Sequence, residues 1–264
     1  MQRKIHGQMS ESFLIAGILS ISGGLQDAYT YMYRGKVFAN AQTGNIVLLS
    51  QNLVDRNWQA VLRYFSPLLF FALGVAMAEC IRMKYQKAQR IHWRQLVLVM
   101  EIVLLFAVGF FPNTLDLVAN AMVSFACAMQ VQAFRKVNGY AFASTMCIGN
   151  LRSGMESLCA YGKTKDKKIL RKSGYYFGII FLFAIGAALG GHMIKYIGAK
   201  TIWISCLILL ISFLCMFIRE EKEDHPEIME EEQEIRDNLK NIRKEAKDVE
   251  HILEDDIRSQ IEKK

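Results

Sequence analysis

The 18 residues TIWISCLILLISFLCMFI, Thr201 to Ile218, carry no charged side chain. At about 1.5 Å of rise per residue a helix over them covers roughly 27 Å, close to the hydrocarbon thickness of a bilayer. A chain that holds such a run, is 52% hydrophobic and has only 3 prolines in 264 residues reads as an integral membrane protein. Long apolar runs predict six spans, at about 12–33, 61–83, 93–112, 115–135, 175–197 and 201–218. The expected fold class is all-α, a helical bundle in the membrane.

Charge divides the chain at residue 218. Residues 219–264 hold 10 Lys+Arg and 17 Asp+Glu, whereas residues 1–218 hold 22 and 8, so a membrane domain near +14 precedes a tail near −7. The basic excess does not indicate nucleic acid, because its residues fall in short loops between apolar spans, where membrane topology accounts for them. Arg82, Lys84, Lys87, Arg90 and Arg94 follow the second span, and Lys163, Lys165, Lys167, Lys168, Arg171 and Lys172 precede the fifth. Both clusters fall on one side with Arg3, Lys4 and the tail, so both termini are expected in the cytoplasm. Arg34, Lys36, Arg56 and Arg63 on the opposite side run mildly against the rule. Arg3 and Lys4 also give the first span the start of a signal peptide, but no A-x-A-like cleavage site follows, and it reads as a retained helix.

The chain repeats itself. GKVFANAQTGN (Gly35 to Asn45) lies beside GYAFASTMCIGN (Gly139 to Asn150), both reading G-x-x-F-A-[NS] and ending in Gly-Asn. Upstream, Asp27-Ala28 matches Gln132-Ala133, and downstream FALGVAMA (Phe71 to Ala78) matches FAIGAALG (Phe183 to Gly190). Two copies of three spans each, over about 12–112 and 115–218, enter the membrane from opposite faces. That is an inverted repeat, the architecture of many secondary transporters, with sites near the midplane between the copies. Gly74 with Ala78 and Gly186 with Gly190 are small-x-x-x-small pairs, which predict close crossing of these two helices near the pseudo-twofold axis, or an oligomer contact.

Residues 41–54 and 146–161 are too short and polar to span and suit half-helices. Gly44 and Gly149 would let the backbone bend there, and Thr43, Asn45 and Asn150 would cap the starts, whose N–H groups attract anions. Ordinary loop–helix junctions at the surface are the plainer reading. Arg152 and Glu156 are spaced to pair. Gly23 and Gly24, next to Gln26 and Asp27, predict a break in the first span that frees backbone groups for an ion or substrate. Gln132 is expected to share the Asp27 site. Glu101, mid-span, must face the bundle, as a proton-linked carboxyl or a structural hydrogen bond. Glu79 and Arg82 read as a surface pair, and His192 as an interfacial residue.

The blocks SGGLQDAYTYMYRGKVFANAQTGN and ACAMQVQAFRKVNGYAFASTMCIGN resemble the YoaK-like bacterial inner-membrane proteins, a domain of unknown function, over roughly residues 10–218. The resemblance implies a small multi-span protein of the bacterial cytoplasmic membrane. The family pattern carries Q-N-A and T-G-N in the second half, where this chain has Gln132-Ala133 and Ile148-Gly149-Asn150, so its second site is weaker or specialised.

Six cysteines without a C-x-x-C pair and five scattered histidines indicate neither disulfides nor a metal, and no cofactor is expected. Nucleophile elbow, Walker loop and H-E-x-x-H are all absent, so an enzyme is the weakest reading. The tail places Ile235, Leu239, Ile242, Ala246, Val249 and Leu253 at alternating steps of four and three, a pattern for a coiled coil or for an amphipathic helix lying on the basic loops. The leading expectation is a secondary transporter or permease of a small solute or ion, with the lipid bilayer as surroundings and a homo-oligomer as an option. The competing one is a non-transporting scaffold or sensor acting through the tail.

Overall fold

The computed structural model describes residues 12–85, 93–137 and 140–224. The tail heptads, Arg3, Lys4, Lys87, Arg90 and Gly139 lie outside the described residues. Residues up to Met216 form one compact unit, which is the one considered below.

Among the described residues eight α-helices follow in order: α1 Phe13–Tyr33, α2 Gln42–Val54, α3 Trp58–Tyr85, α4 Trp93–Val108, α5 Asp116–Ala133, α6 Cys147–Thr164, α7 Lys167–Ile197 and α8 Ile202–Asp224. One short antiparallel pair, β1 Lys136–Val137 with β2 Tyr140–Ala141, sits in the loop before α6. Three helical stretches among the described residues are long and apolar enough to cross a membrane: Trp58–Tyr85, Asn113–Ala133 and Lys167–Met216, the last holding both α7 and α8. The sequence expectation of six exceeds this count. α1 is diluted by Ser20, Ser22, Gln26 and Asp27, and α4 has only 16 residues.

The polarity of the bundle is turned inside out relative to a water-soluble domain. Ser20, Ser22, Gln26, Thr30 and Glu101 are fully buried, while Phe65, Leu69 and Leu73 of α3, Val103 and Phe106 of α4, and Phe181 and Ile185 of α7 face outward. Hydrocarbon solvates that surface, and water would not. α1 is the enclosed axis. Ser12 caps it by accepting from the Ile15 N–H at 3.3 Å, and it ends at Gly35, whose φ of +84° suits glycine at the turn.

α1 runs continuously through Gly23 and Gly24, so the predicted break is absent. The glycines serve packing: a Cβ on Gly24 would lie 2.0 Å from the Phe183 carbonyl oxygen of α7. The contacts proceed in parallel up both helices. Phe13 meets Gly178, Gly17 meets Leu182, Ile21 meets Gly186 and Leu25 meets Gly190. α3 uses Gly74 in the same way against Phe125 and Ala128 of α5. The small-residue pairs therefore do admit close helices, but α3 approaches α5 and α7 approaches α1. The expected crossing of α3 with α7 at these positions gives way to an exchange of partners.

The segments at 42–54 and 147–164 are helices of 13 and 18 residues, so the first has the expected short length and the second, as long as α5, exceeds it. α2 packs on α3 and α6 on α7. Their amphipathicity is also inverted: α2 buries Asn45 and exposes Ile46, Val47 and Val54, and α6 buries Asn150, Gly154 and Ser157 and exposes Ile148, Leu151 and Met155.

Candidate functional site

The loops ahead of α2 and α6 both reach the middle of α1. Asn40 donates its side-chain amide to the Gly23 carbonyl at 3.3 Å, and a Cβ on Gly23 would strike the Thr145 side chain. Gly23 is the midpoint of α1, so the chain turns back from the end of α1 at residue 33 and of α5 at residue 133, and starts each short helix at that depth.

Asp27 receives the first of these loops. Its Oδ1 accepts from the Asn40 backbone N–H at 2.7 Å, and the N–H groups of Ala39 and Ala41 also turn toward the carboxylate. The anion at this helix start is thus supplied by the chain itself. Asn45 secures the same loop, accepting from the Phe38 N–H at 3.1 Å and donating to the Phe38 carbonyl at 2.7 Å. Asn150 donates to the Ala143 carbonyl at 2.7 Å in the second loop. Both asparagines therefore pin the backbone seven residues upstream, and the expected role as helix caps is replaced by this one. The N-cap positions are Ala41 and Met146, neither with a side-chain capping bond. Asn45→Ala strips two partners from Phe38 and is expected to lower stability by about 1–3 kcal/mol, with Asn150→Ala costing less because one bond is lost. Thermal unfolding in detergent measures both, and the reverse order would contradict this account.

Gln26, one residue earlier on α1, faces a different set of helices. Its amide nitrogen lies 2.9 Å from Ser22 Oγ, 3.0 Å from Ser205 Oγ of α8 and 3.1 Å from Glu101 Oε1 of α4, and its oxygen accepts from the Cys127 thiol of α5 at 2.6 Å. Ser22 and Ser205 are themselves hydroxyl to hydroxyl at 2.5 Å. One side chain thus ties four helices. Glu101 is wholly enclosed, as expected, and its Oε2 has no partner. Cys127 also lies beside the Asn40 side chain and within Coulombic range of both Asp27 and Glu101, which makes the two carboxyls parts of one polar region.

The structure separates Gln132 from this region. Its amide donates to Glu79 Oε2 at 2.8 Å, on a carboxylate that also pairs with Arg82 as expected. The interior position is held by Gln130, which donates to Ser144 Oγ at 2.9 Å and to the Leu19 carbonyl at 3.3 Å. A signal for this was present: the spacing of 104 that sets Asn40 against Ser144 also sets Gln26 against Gln130 and Ser20 against Ser124. Matching Asp27-Ala28 to Gln132-Ala133 shifted the register by one. Thr43 and Gly149 are exposed, and neither Gly44 nor Gly149 bends the backbone, since both lie within regular helix. A Cβ on Gly44 would meet the Phe38 ring at 3.0 Å, so close approach is its requirement. Arg152 and Glu156 pair at 2.8 Å on the exposed face of α6, and His192 packs beside Tyr196.

Arg34, read from sequence as a loop cation, is buried at the end of α1. It donates to the Tyr29 hydroxyl at 2.8 Å, to Asp116 Oδ1 at 3.0 Å, and to the carbonyls of Val108, Phe111 and Pro112 at 3.1, 2.8 and 3.2 Å. All five guanidinium N–H groups are used, closing the C-terminal end of α4 and joining it to the start of α5.

Along α1 the polar contacts of α5 run in the opposite chain direction. Asn120 meets the Arg34 carbonyl at 2.7 Å, Cys127 meets Gln26, and Gln130 meets Leu19. The α1–α5 seam, flanked by the two returning loops and Glu101, is the candidate site.

Comparison with known proteins agrees with a membrane assignment. Residues 15–215 match the family model described as "Protein of unknown function (DUF1275)". The chain is 26% identical over 182 residues to the UPF0700 transmembrane protein YoaK of Bacillus subtilis (strain 168), a match that covers 66% of this chain and 80% of that protein. No solved structure matches the chain.

Proposed function

The chain belongs to the DUF1275 family, which includes a transmembrane relative, and on that premise we propose that it is a secondary transporter of a small solute, with its site at the α1–α5 seam. The observation that carries this reading is the meeting of two short helix starts at the midpoint of α1, beside Asp27 and a buried Glu101. Non-helical backbone at such depth is tolerated where protein or a cavity surrounds it, and transporters use that arrangement to hold solutes and coupling ions.

The two halves are read as an inverted repeat, α1–α4 and α5–α8, with both termini cytoplasmic. Three features support it. The leading helices α1 and α5 are antiparallel, each packs on the third helix of the other half, and the short helices α2 and α6 pack on the third helix of their own. Asp27, Gln26 and Glu101 from one half, with Gln130, Ser144 and Thr145 from the other, then line one midplane site. On this reading the charge chemistry belongs to the first half, with a proton on Glu101 or Asp27 as the coupling ion.

Proteoliposomes challenged with amino acids, hydroxy acids, sugars and nucleobases, under a pH gradient of either sign, test this with an internal pH dye and labelled solute. One class should accumulate with wild-type protein. Asp27→Asn should abolish uptake while membrane insertion and the size-exclusion profile stay normal, since Asn still offers an acceptor to Asn40. Deleting residues 226–264 should leave uptake intact. Uptake equal to that of empty liposomes for every class would overturn the transporter reading in favour of the scaffold.

A further inference from the structure

The end of α1 opens on a cavity of about 300 Å³ between the start of α3 and the start of α5. Gln59 and Arg63 of α3, Thr114, Asp116 and Asn120 line it, with Arg34 and Gly35 at its side. Arg34 has no N–H left to offer, because all five are bonded. Arg63 is different: its side chain is exposed, and among the described residues it has neither an ion pair nor a hydrogen bond. Opposite stand acceptors. Asn120 is 1% exposed, its amide nitrogen is bonded to the Arg34 carbonyl, and its Oδ1 is enclosed and has no donor among the described residues. Asp116 gives Oδ1 to Arg34 and keeps 29% of its side chain exposed.

The lining does not end at the cavity floor. Asn120, Ser124, Cys127 and Gln130 follow at steps of four, three and three, one face of α5, and they run from the cavity to the Gln26 and Ser144 contacts at mid-depth. Ser124 Oγ and Gln130 Oε1 share the condition of Asn120 Oδ1, enclosed and without a partner. Buried polar oxygens are almost always bonded, so three in file on one helix face mark a track that something polar completes.

We propose that this cavity is the loading subsite for a small carboxylate that also carries an N–H or O–H donor, as α-amino and α-hydroxy acids do, and that the α5 stripe leads from it to the seam. The assignment rests on the transporter reading above for its purpose, but not for its binding test. Arg63 takes the carboxylate, and the donor end lies inward against Asn120 Oδ1 and Asp116. A plain anion satisfies Arg63 and leaves Asn120 orphaned; a plain amine does the reverse.

Ligand-induced thermal stabilisation and equilibrium binding with L-alanine, L-lactate and propionate, on the full chain in detergent, test the subsite. Alanine or lactate should bind at least about tenfold more tightly than propionate, the usual consequence of leaving a buried acceptor unpaired. Arg63→Gln, on an exposed side chain, should weaken every carboxylate by about tenfold or more without lowering the melting temperature. Asn120→Ala should erase the preference over propionate, a ratio that a general loss of stability does not change. Equal binding of propionate and alanine by the wild type, or no effect of Arg63→Gln, overturns the subsite, as does stabilisation by added phosphatidylethanolamine alone, which would make it a lipid headgroup site. Uptake of an unrelated solute with no carboxylate binding would sink the subsite and spare the transporter reading, whereas tight carboxylate binding without any uptake would do the opposite.

Discussion

Arg34→Leu is expected to cost about 3–5 kcal/mol of stability, the usual penalty for removing one partner of a buried ion pair. The loss is compound. Asp116 keeps a charge with no counterion, the Tyr29 hydroxyl loses its donor, the Phe111 carbonyl is left bare, and the carbonyls of Val108 and Pro112 keep only their backbone bonds from the Phe111 and Leu115 N–H groups. Asp116→Leu should cost less, because its side chain is 29% exposed and the guanidinium keeps its other bonds. The double variant should recover part of the Arg34→Leu deficit by removing the stranded carboxylate, but not all of it, since the Phe111 carbonyl stays unpaired and those of Val108 and Pro112 each still lack one donor. Arg34→Lys should rescue incompletely: an ammonium has three donors where five are used. Thermal unfolding of the four variants beside the wild type in one detergent gives the order. An Arg34→Leu protein as stable as the wild type would show that the guanidinium is not the tie described.

Gly186→Ala should be at least as damaging, although it adds a single methyl group. Its Cβ would lie 1.9 Å from the Ile21 carbonyl oxygen of α1, and a Cβ on Gly24 would lie 2.0 Å from that of Phe183. Backbone cannot yield as a flexible side-chain end does, so α1 and α7 must move apart along the whole file of contacts from Phe13–Gly178 to Leu25–Gly190. Overpacking of this kind costs about 3 kcal/mol or more, and in lipid no hydrophobic force draws the helices back. Gly174→Ala is the matched control. Nothing lies within 4 Å of its Cβ position on the same helix, so the change should be neutral or add about 0.5–1 kcal/mol from helix propensity. Loss of the folded monodisperse fraction in Gly186→Ala and not in Gly174→Ala is the expected result, and equal behaviour of the two would refute the close approach.

Much of the helix plan could be read from hydropathy, because a bilayer demands runs of fixed length whatever their partners. α1, α3 and α5 fall within about three residues of their predicted bounds, α7 starts at Lys167 where 175 was predicted, α8 runs to Asp224 where 218 was, and α2 and α6 start where polarity placed them. Partnership was harder to read. Gly23 and Gly24 look like a break in a one-dimensional sequence, and only the position of α7 turns them into a contact surface. The fate of Arg34 depended on five acceptors contributed by residues 29, 108, 111, 112 and 116. No local pattern announces such a set. Glu101 could be read because a charged group in an apolar segment is costly, Gln26 and Asp27 because they stand beside paired glycines, and Asn45 and Asn150 because the Gly-Asn block recurs in both halves. Ser22, Cys127, Ser144 and Ser205 were missed because small polar residues cost little and resemble filler, and Gln132 was misplaced by a register error of one residue.

The parallel file between α1 and α7 has a consequence for biogenesis. Phe13 waits for Gly178, so α1 has no seat on α7 until the residues up to Gly178 have been made. Over the same interval Gln26 also lacks Ser205 of α8. α3 finds α5 much sooner. Two halves expressed as separate chains should therefore each be degraded alone and survive together.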